Sequence, residues 1–248
     1  MTKSDFAALH NSSDPLILFN IWDAGSAQAV ARAGAKVIAT GSASLAGAQG
    51  YDDGEHIPVA RLVETAAQIA EAVDLPITVD FETGYATNLD DLARNAAALR
   101  DVGVVGCNLE DRLIRAGGLR AIDEQAERIA SVDSAGLFVN ARTDIFLGPL
   151  VAGDNPNRED LVDAAIERAA AYQAAGAGCF FVPGLSDPGL LARLCKAIDL
   201  PVNVMRLPDM VDNSELAALG VSRVSYGPGP WRDAMAAVEA VAKEQLAT

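Results

Sequence analysis

The stretch Leu16-Ile17-Leu18-Phe19-Asn20-Ile21-Trp22-Asp23-Ala24-Gly25-Ser26 carries the decision about the fold. Its first residues form a short apolar run, as a strand covered on both faces requires. The run is followed by a polar turn, and not by the Gly-x-Gly-x-x-Gly turn that more usually follows the first strand of an open, doubly wound sheet. Outward from this stretch the pattern repeats to the end of the chain. Strand-like runs are read at residues 16–22, 36–42, 76–82, 106–111, 137–143, 178–184, 201–207 and 223–227. Between them lie alanine-rich segments with apolar residues at helical spacing, such as Leu62, Ala66, Ile69 and Val73, or Leu161, Ala165, Ala169 and Tyr172. Gly34, Gly103, Gly176 and Gly220 each stand between a helical segment and the next strand, where a left-handed cap ends a helix. Asn88, Asp123, Asp187 and Asn213 are read as N-caps. About eight βα units in 248 residues predict an α/β fold of the (β/α)8 TIM-barrel type, which typically needs about 250 residues. One domain over residues 1–248 is expected, with no linker.

Composition narrows the partners. Half the residues are hydrophobic and 21% are charged, enough to bury a sizeable core. Asp and Glu number 34 against 19 Lys and Arg, a net charge of −15 with no basic run. That balance argues against nucleic acid and anionic membrane surfaces as partners and leaves a divalent cation open. Cys107, Cys179 and Cys195 are far apart and outside any Cys-x-x-Cys pattern, so neither a disulfide framework nor a zinc site is expected. The first eleven residues lack the apolar core of a signal peptide, and the apolar runs are short for a membrane span. A cytoplasmic protein is the expectation. His10 is read as a solvated terminal residue and His56 as a surface residue near a helix start.

In a (β/α)8 barrel the chemistry sits where strands end and βα loops begin. The third strand ends Val79-Asp80-Phe81-Glu82-Thr83-Gly84-Tyr85, the fourth Cys107-Asn108-Leu109-Glu110-Asp111-Arg112, and the fifth Asn140-Ala141-Arg142-Thr143-Asp144. Asp80 and Glu82, two apart on a strand, are expected on one face, with Glu110 at a matching height next door. Carboxylates converging in this way call for a cation, and a hard oxygen-liganded ion such as Mg2+ is the natural one. Arg142 offers a fork that matches a substrate carboxylate; the alternative is a structural pairing with Glu110 or Asp111. Asp52 and Asp53 precede Gly54 and read equally as a turn or as part of a metal shell. Tyr226 and Arg206, at the ends of the eighth and seventh strands, either face the substrate or serve packing and a surface ion pair. Trp22 is expected at the pocket mouth.

These blocks, with Phe19-Asn20-Ile21-Trp22-Asp23-Ala24-Gly25-Ser26 and the stretch from Thr40-Gly41-Ser42 to Asp53, resemble the isocitrate lyase / phosphoenolpyruvate mutase superfamily over nearly the whole chain. The resemblance implies a barrel that assembles as a homo-oligomer, a dimer or tetramer, with the last helix exchanged between subunits. It implies Mg2+, with Mn2+ as a substitute, and a small 2-oxo or 2-hydroxy carboxylate substrate. Position by position, it makes Asp80 the direct metal ligand, with Glu82, Glu110 and Asp53 holding the ion directly or through water. Arg142, the segment Thr40-Gly41-Ser42 and its backbone amides would bind the substrate carboxylate, and Arg142 and Glu110 are the catalytic candidates.

Two departures bear on the reaction. Glu82 stands where the family usually has a second Asp. The stretch after Asp111 reads Arg112-Leu113-Ile114-Arg115-Ala116-Gly117-Gly118-Leu119. The family's lyases carry there a Lys-Lys-Cys-Gly-His loop whose Cys is the acid–base residue, and its mutases a Lys followed by an Asn. The expectation is a Mg2+-dependent C–C lyase favouring oxaloacetate-type decarboxylation, which needs little protein acid–base help, and no cleavage of isocitrate or methylisocitrate. The alternatives are C–P chemistry, as a phosphonopyruvate-type mutase or hydrolase, and a non-catalytic metabolite-binding relative.

Overall fold

A computed structural model describes residues 1–247; Thr248, the last residue of the expected domain, lies outside them. Eight parallel strands run β1 Leu16–Leu18, β2 Ile38–Ala39, β3 Ile77–Asp80, β4 Val104–Glu110, β5 Phe138–Arg142, β6 Cys179–Phe181, β7 Val202–Met205 and β8 Val221–Ser225. The helices are α1 Lys3–Ala7, α2 Ala24–Arg32, α3 Ser42–Ala48, α4 Val59–Ala72, α5 Leu89–Asp101, α6 Ile122–Ser134, α7 Leu147–Ala152, α8 Glu159–Ala174, α9 Pro188–Ala197, α10 Asn213–Ala218 and α11 Gly229–Leu246. The sheet order is β1-β8-β7-β6-β5-β4-β3-β2, so each strand lies beside its successor and β1 returns to β8. The remaining seam closes through a parallel bridge between Ile21 and Thr40. There Ile21 N–H donates to Ala39 (2.8 Å) and Gly41 N–H to Ile21 (3.2 Å). The result is the expected (β/α)8 barrel.

The apolar runs are covered on both sides, as the sequence pattern requires. All four residues of β3 and all five of β8 are buried, and α4 lays Leu62, Ala66 and Ile69 on the sheet. Each such aliphatic residue contributes roughly 1.5–3 kcal/mol on full burial. Gly34, Gly103, Gly176 and Gly220 all take φ between +96° and +101°, the left-handed turn expected at the αβ joints. Two caps sit elsewhere than expected. Asn88 and Asp187 do cap α5 and α9, but Asp212, not Asn213, caps α10, because Asp212 and Glu215 form a reciprocal capping box. Asp123 lies inside the first turn of α6, after Ala121, where its charge still favours the helix N-terminus.

His10 corrects a second reading. It is only 8% exposed, stacked on Phe138 with centroids 4.7 Å apart, at the N-terminal end of the barrel. Phe6 of α1 joins Leu16, Leu18, Val37, Ala39, Phe138 and Cys179 in a separate apolar cluster there. His10 Nδ1 lies 3.1 Å from the Phe6 carbonyl and Nε2 lies 3.3 Å from Nη1 of Arg223. Nδ1 therefore carries the proton and Nε2 accepts from the arginine. Arg223 itself is 1% exposed, and its other branch donates to Asn108 (3.2 Å). Burial, and then the charge of Arg223, pushes the His10 imidazole down to about 3.

Two further features lie outside the core. In α11, Met235, Val238, Val241 and Leu246 are exposed, and so are Ile17 on β1 and Phe19 just after it. Cys107 and Cys179 are buried and Cys195 half-buried, all as free thiols. No described helix is long and apolar enough to cross a membrane.

Neutral His10 contributes stability that is complete above the ordinary histidine range, near pH 6.5, and is lost as pH falls toward 3. Urea unfolding between pH 7 and 4.5 should show the parent losing about 1.4 kcal/mol per pH unit relative to His10→Gln. Parallel curves would mean that His10 is not held neutral.

Candidate active site

At the mouth of the barrel the strand ends bring Asp80, Glu82, Glu110, Arg142 and Asp144 together, and the loop after α3 adds Asp53. Regular strand geometry ends at Asp80, so the shared-face expectation for Asp80 and Glu82 is corrected. Glu82 has φ +48°, the left-handed region, and reaches the cluster from a turn. Its carbonyl still receives the Glu110 amide (2.8 Å), which ties the turn after β3 to the end of β4 and sets the two carboxylates side by side.

That turn is part of an interlock. Among the described residues the only non-glycine residues with positive φ are Glu55, Glu82 and Tyr85, and they bond to one another. The Glu55 amide donates to Glu82 Oε2 (2.9 Å) and the Tyr85 hydroxyl to Glu82 Oε1 (2.7 Å). Glu55 Oε1 accepts from the Tyr85 amide (2.8 Å), the Thr83 amide (3.1 Å) and the Thr83 hydroxyl (2.7 Å). Gly84 sits between them at φ +92°, where a side chain would run into Leu92. Three left-handed residues cost on the order of 1–3 kcal/mol each, and persist because their neighbours over-determine them.

Arg142 is the centre of the other half. Its Nη1 lies 2.9 Å from Glu110 Oε2, and Nε and Nη2 grip both oxygens of Asp144 at 2.6 and 3.0 Å. Of the structural pairings anticipated, the one with Glu110 is present. Asp111 is engaged elsewhere, accepting from the Asp144 amide (3.0 Å), Tyr172 (2.9 Å) and Arg168 (3.2 Å). Three of the five guanidinium N–H groups of Arg142 are thereby used, and two remain.

The carboxylates are short of cations. Burial drives Glu110 well above the usual carboxylate range; Arg142 pulls it back, while Asp144, Asp80 and Glu82 add to the rise. Burial raises Glu82 to about 8 against the pull of the Tyr85 bond, and Asp80, Asp53 and Glu55 raise it further. Asp53 is raised by burial and by Asp80. For Arg142, burial opposes the charge, but Glu110 and Asp144 outweigh it and keep the guanidinium protonated. Asp80 accepts from the Ser42 amide (3.2 Å) at one oxygen, and its buried Oδ1 has no hydrogen-bond partner. An orphaned anionic oxygen among mutually repelling carboxylates fits a hard divalent cation. Among the described residues no three acidic, histidine or cysteine side chains form a ready cage. The donor set therefore suits an ion that keeps several waters.

The remaining expected residues play supporting parts. Thr40 Oγ1 accepts from the Asp80 amide (3.0 Å), fixing the end of β3. The Gly41 amide is committed to the barrel seam and the Ser42 amide to Asp80. His56 is exposed, its ring 2.9 Å from the Asp53 carbonyl. Arg206 braces the carbonyls of Met210 and Val211, and Tyr226 packs on Phe19. Trp22 is half-buried against the core. Glu55, Tyr85 and Asp144 join the site without being candidates from sequence. Of the three, only Asp144 gave a signal, as an acid two residues past the arginine at a strand end.

The family profile for phosphoenolpyruvate phosphomutase matches residues 6–246. An oxaloacetate decarboxylase of Chromohalobacter salexigens is 29% identical over 98% of this chain and 85% of its own. A solved structure from Burkholderia cenocepacia J2315, a candidate phosphonomutase, is 46% identical over 98% of this chain and 99% of its own, with TM-score 0.92. A phosphonopyruvate hydrolase, solved with oxalate and Mg2+, shares the fold at TM-score 0.85 and 22% identity, over 98% of this chain and 87% of its own.

Replacing Glu55 by Ala should leave the Thr83 and Tyr85 amides without their acceptor and cost roughly 2–4 kcal/mol in denaturant unfolding. Glu55→Gln retains an accepting oxygen and should cost less. A change below about 0.5 kcal/mol for Glu55→Ala would show that the interlock does not hold the turn.

Proposed function

The chain belongs to the phosphoenolpyruvate phosphomutase family, and from that premise we propose that it is a Mg2+-dependent C–C lyase that decarboxylates oxaloacetate or a close 2-oxo relative. The observation that carries the reading is the unpartnered Asp80 oxygen in a carboxylate cluster beside an arginine with two N–H groups to spare. In this reading Asp80 holds Mg2+ directly, and Asp53, Glu82 and Glu110 hold it through water. When bound, Mg2+ supplies Lewis-acid stabilisation of the substrate oxygen that gains charge as the C–C bond breaks. Arg142, oriented by Asp144 and Glu110, binds the substrate carboxylate with its remaining donors. Thr40 and Gly41 support from behind, and Ser42 shares its amide between Asp80 and the substrate.

The 112–119 loop explains the choice of reaction. It is a hairpin closed by an antiparallel bridge between Arg112 and Leu119, and it carries no Cys, His or Lys. Such a lid excludes water without supplying a proton. Loss of CO2 tolerates this, because solvent can deliver the proton to the product carbon. The C. salexigens decarboxylase favours the same reading. The Burkholderia relative favours a second one, C–P chemistry on phosphonopyruvate, which formation of phosphoenolpyruvate (mutase) or release of phosphate and pyruvate (hydrolase) from that substrate would reveal.

Oxaloacetate should be decarboxylated above the rate with Mg2+ alone, and EDTA or Asp80→Asn should abolish the difference while the protein stays folded. Isocitrate should give no glyoxylate. Full activity in Asp80→Asn would remove Asp80 from the site. Inactivity toward both oxaloacetate and phosphonopyruvate would favour the metabolite-binding relative.

The reading includes a homo-oligomer, a dimer or tetramer in the cytoplasm. The exposed apolar residues of α11 and β1 are surface that a second copy would cover. Sedimentation should show the assembly, and Val238→Asp with Val241→Asp should reduce it to monomers. A monomeric parent would refute it.

A further inference from the structure

Beside the carboxylate cluster, a groove of about 360 Å3 runs between the 112–119 hairpin and α7. It adjoins the cluster through Asp144, which lines the groove and grips Arg142. The volume lies within the range of cavities that bury ligands larger than a four-carbon acid. Its walls are apolar, with Leu119 on the hairpin and Leu147 and Val151 on α7; Val151 is 79% exposed at the lip. Three wall positions are glycines, Gly117, Gly118 and Gly148, and a Cβ at any of them would meet nothing within 4 Å. The protein leaves this space unfilled.

The groove has one uncommitted charge. Arg112 lines it, and its side chain has no ion pair or hydrogen bond among the described residues. The other charged lining residue, Asp144, is neutralised by Arg142, so the inner end does not present a free anion. An apolar trough with a free guanidinium at one wall matches a chain of methylene groups ending in a carboxylate.

We propose that this groove is a substrate side-arm subsite, and that the enzyme's substrate class is oxaloacetate carrying at C3 an apolar arm with a terminal carboxylate. The inference rests on the decarboxylase reading. In the reaction the bond from C3 to its carboxyl carbon breaks and CO2 leaves. The electron pair passes into the C2–C3 bond, and C3 then takes a proton from solvent. The arm stays unreacted in the groove, and the product is a longer 2-oxo acid.

The test compares oxaloacetate, its C3-propyl derivative and its C3-(2-carboxyethyl) derivative on the parent, Gly148→Leu and Arg112→Gln. Gly148 has ordinary helical φ, so leucine fills the groove without backbone strain. Gly148→Leu should lower kcat/KM about tenfold or more for both substituted acids and change oxaloacetate by less than about twofold. Arg112→Gln should lower kcat/KM about tenfold for the carboxyethyl acid alone. Equal effects on all three acids, or none on the substituted ones, would overturn the subsite. Calorimetric titration with succinate and its C2-propyl and C2-(2-carboxyethyl) forms reads the groove without turnover. An enzyme inactive on all three acids whose variants still discriminate the succinates would refute the decarboxylase reading and leave the subsite standing. Succinates bound alike by all three proteins would refute the subsite.

Discussion

Arg142 is a guanidinium held at the centre of a barrel mouth otherwise built from carboxylates, and the geometry around it runs back into the scaffold. It is oriented by Asp144, whose amide donates to Asp111 (3.0 Å). Asp111 is fully buried and is fixed by Tyr172 and Arg168 of α8. A helix on the outside of the barrel thus sets the angle of a guanidinium at its mouth through two aspartates. Removing one partner of a buried ion pair costs roughly 3–5 kcal/mol, because the other charge stays behind. The chain of pairs is therefore stiff, and it leaves Arg142 with a defined pair of free donors and not a mobile charge.

One arginine does not balance Asp53, Asp80, Glu82, Glu110 and Asp144. The fold answers this shortage in two ways. Glu82 is supplied with hydrogen-bond donors, the Tyr85 hydroxyl and the Glu55 amide, at the expense of three left-handed residues. Asp80 is left with an oxygen that nothing in the protein satisfies. Strain spent on one carboxylate and deprivation at its neighbour make sense together if Glu82 is a fixed wall and Asp80 the point of attachment. The extra methylene of glutamate fits that division, since it lets the carboxylate reach the Glu55 loop from a turn.

The barrel and the strand ends were legible because they rest on repetition. Eight apolar runs, glycines at the αβ joints and acids at successive strand ends each follow from backbone geometry alone. The misreadings fall where a single side chain is decided by tertiary contact. His10 lies beyond any periodic segment, and its burial depends on Phe138 and Arg223, far away in sequence. Period-2 alternation puts Glu82 on a strand and carries no warning of a left-handed turn. Arg142 was legible as a fork, but the Asp144 that occupies half of it is two residues away and would have pointed to the same face only if the strand had continued. The Glu55 interlock gave no signal, since a glutamate after Asp-Asp-Gly reads as a surface turn.

The hairpin beside this site is tied down at its base by the same aspartate. The Arg120 amide donates to the Asp111 carbonyl (2.7 Å) and the Leu113 amide to Gly118 (2.9 Å). Its tip turns through Gly117 and Gly118, consecutive left-handed glycines; the Gly117 amide donates back to Leu113 (2.8 Å), and a side chain at either position would meet only open space. Side chains added at these two glycines would leave the contacts of Asp111, Asp144 and Arg142 untouched. The hairpin also has no titrating side chain to bring into the site. In the proposed decarboxylation, water exclusion and proton delivery are separated, the first assigned to the hairpin and the second to solvent after CO2 has gone. A cleavage whose carbanion must be protonated on one face while the lid is shut needs both at once, and this hairpin has residues for only one of them.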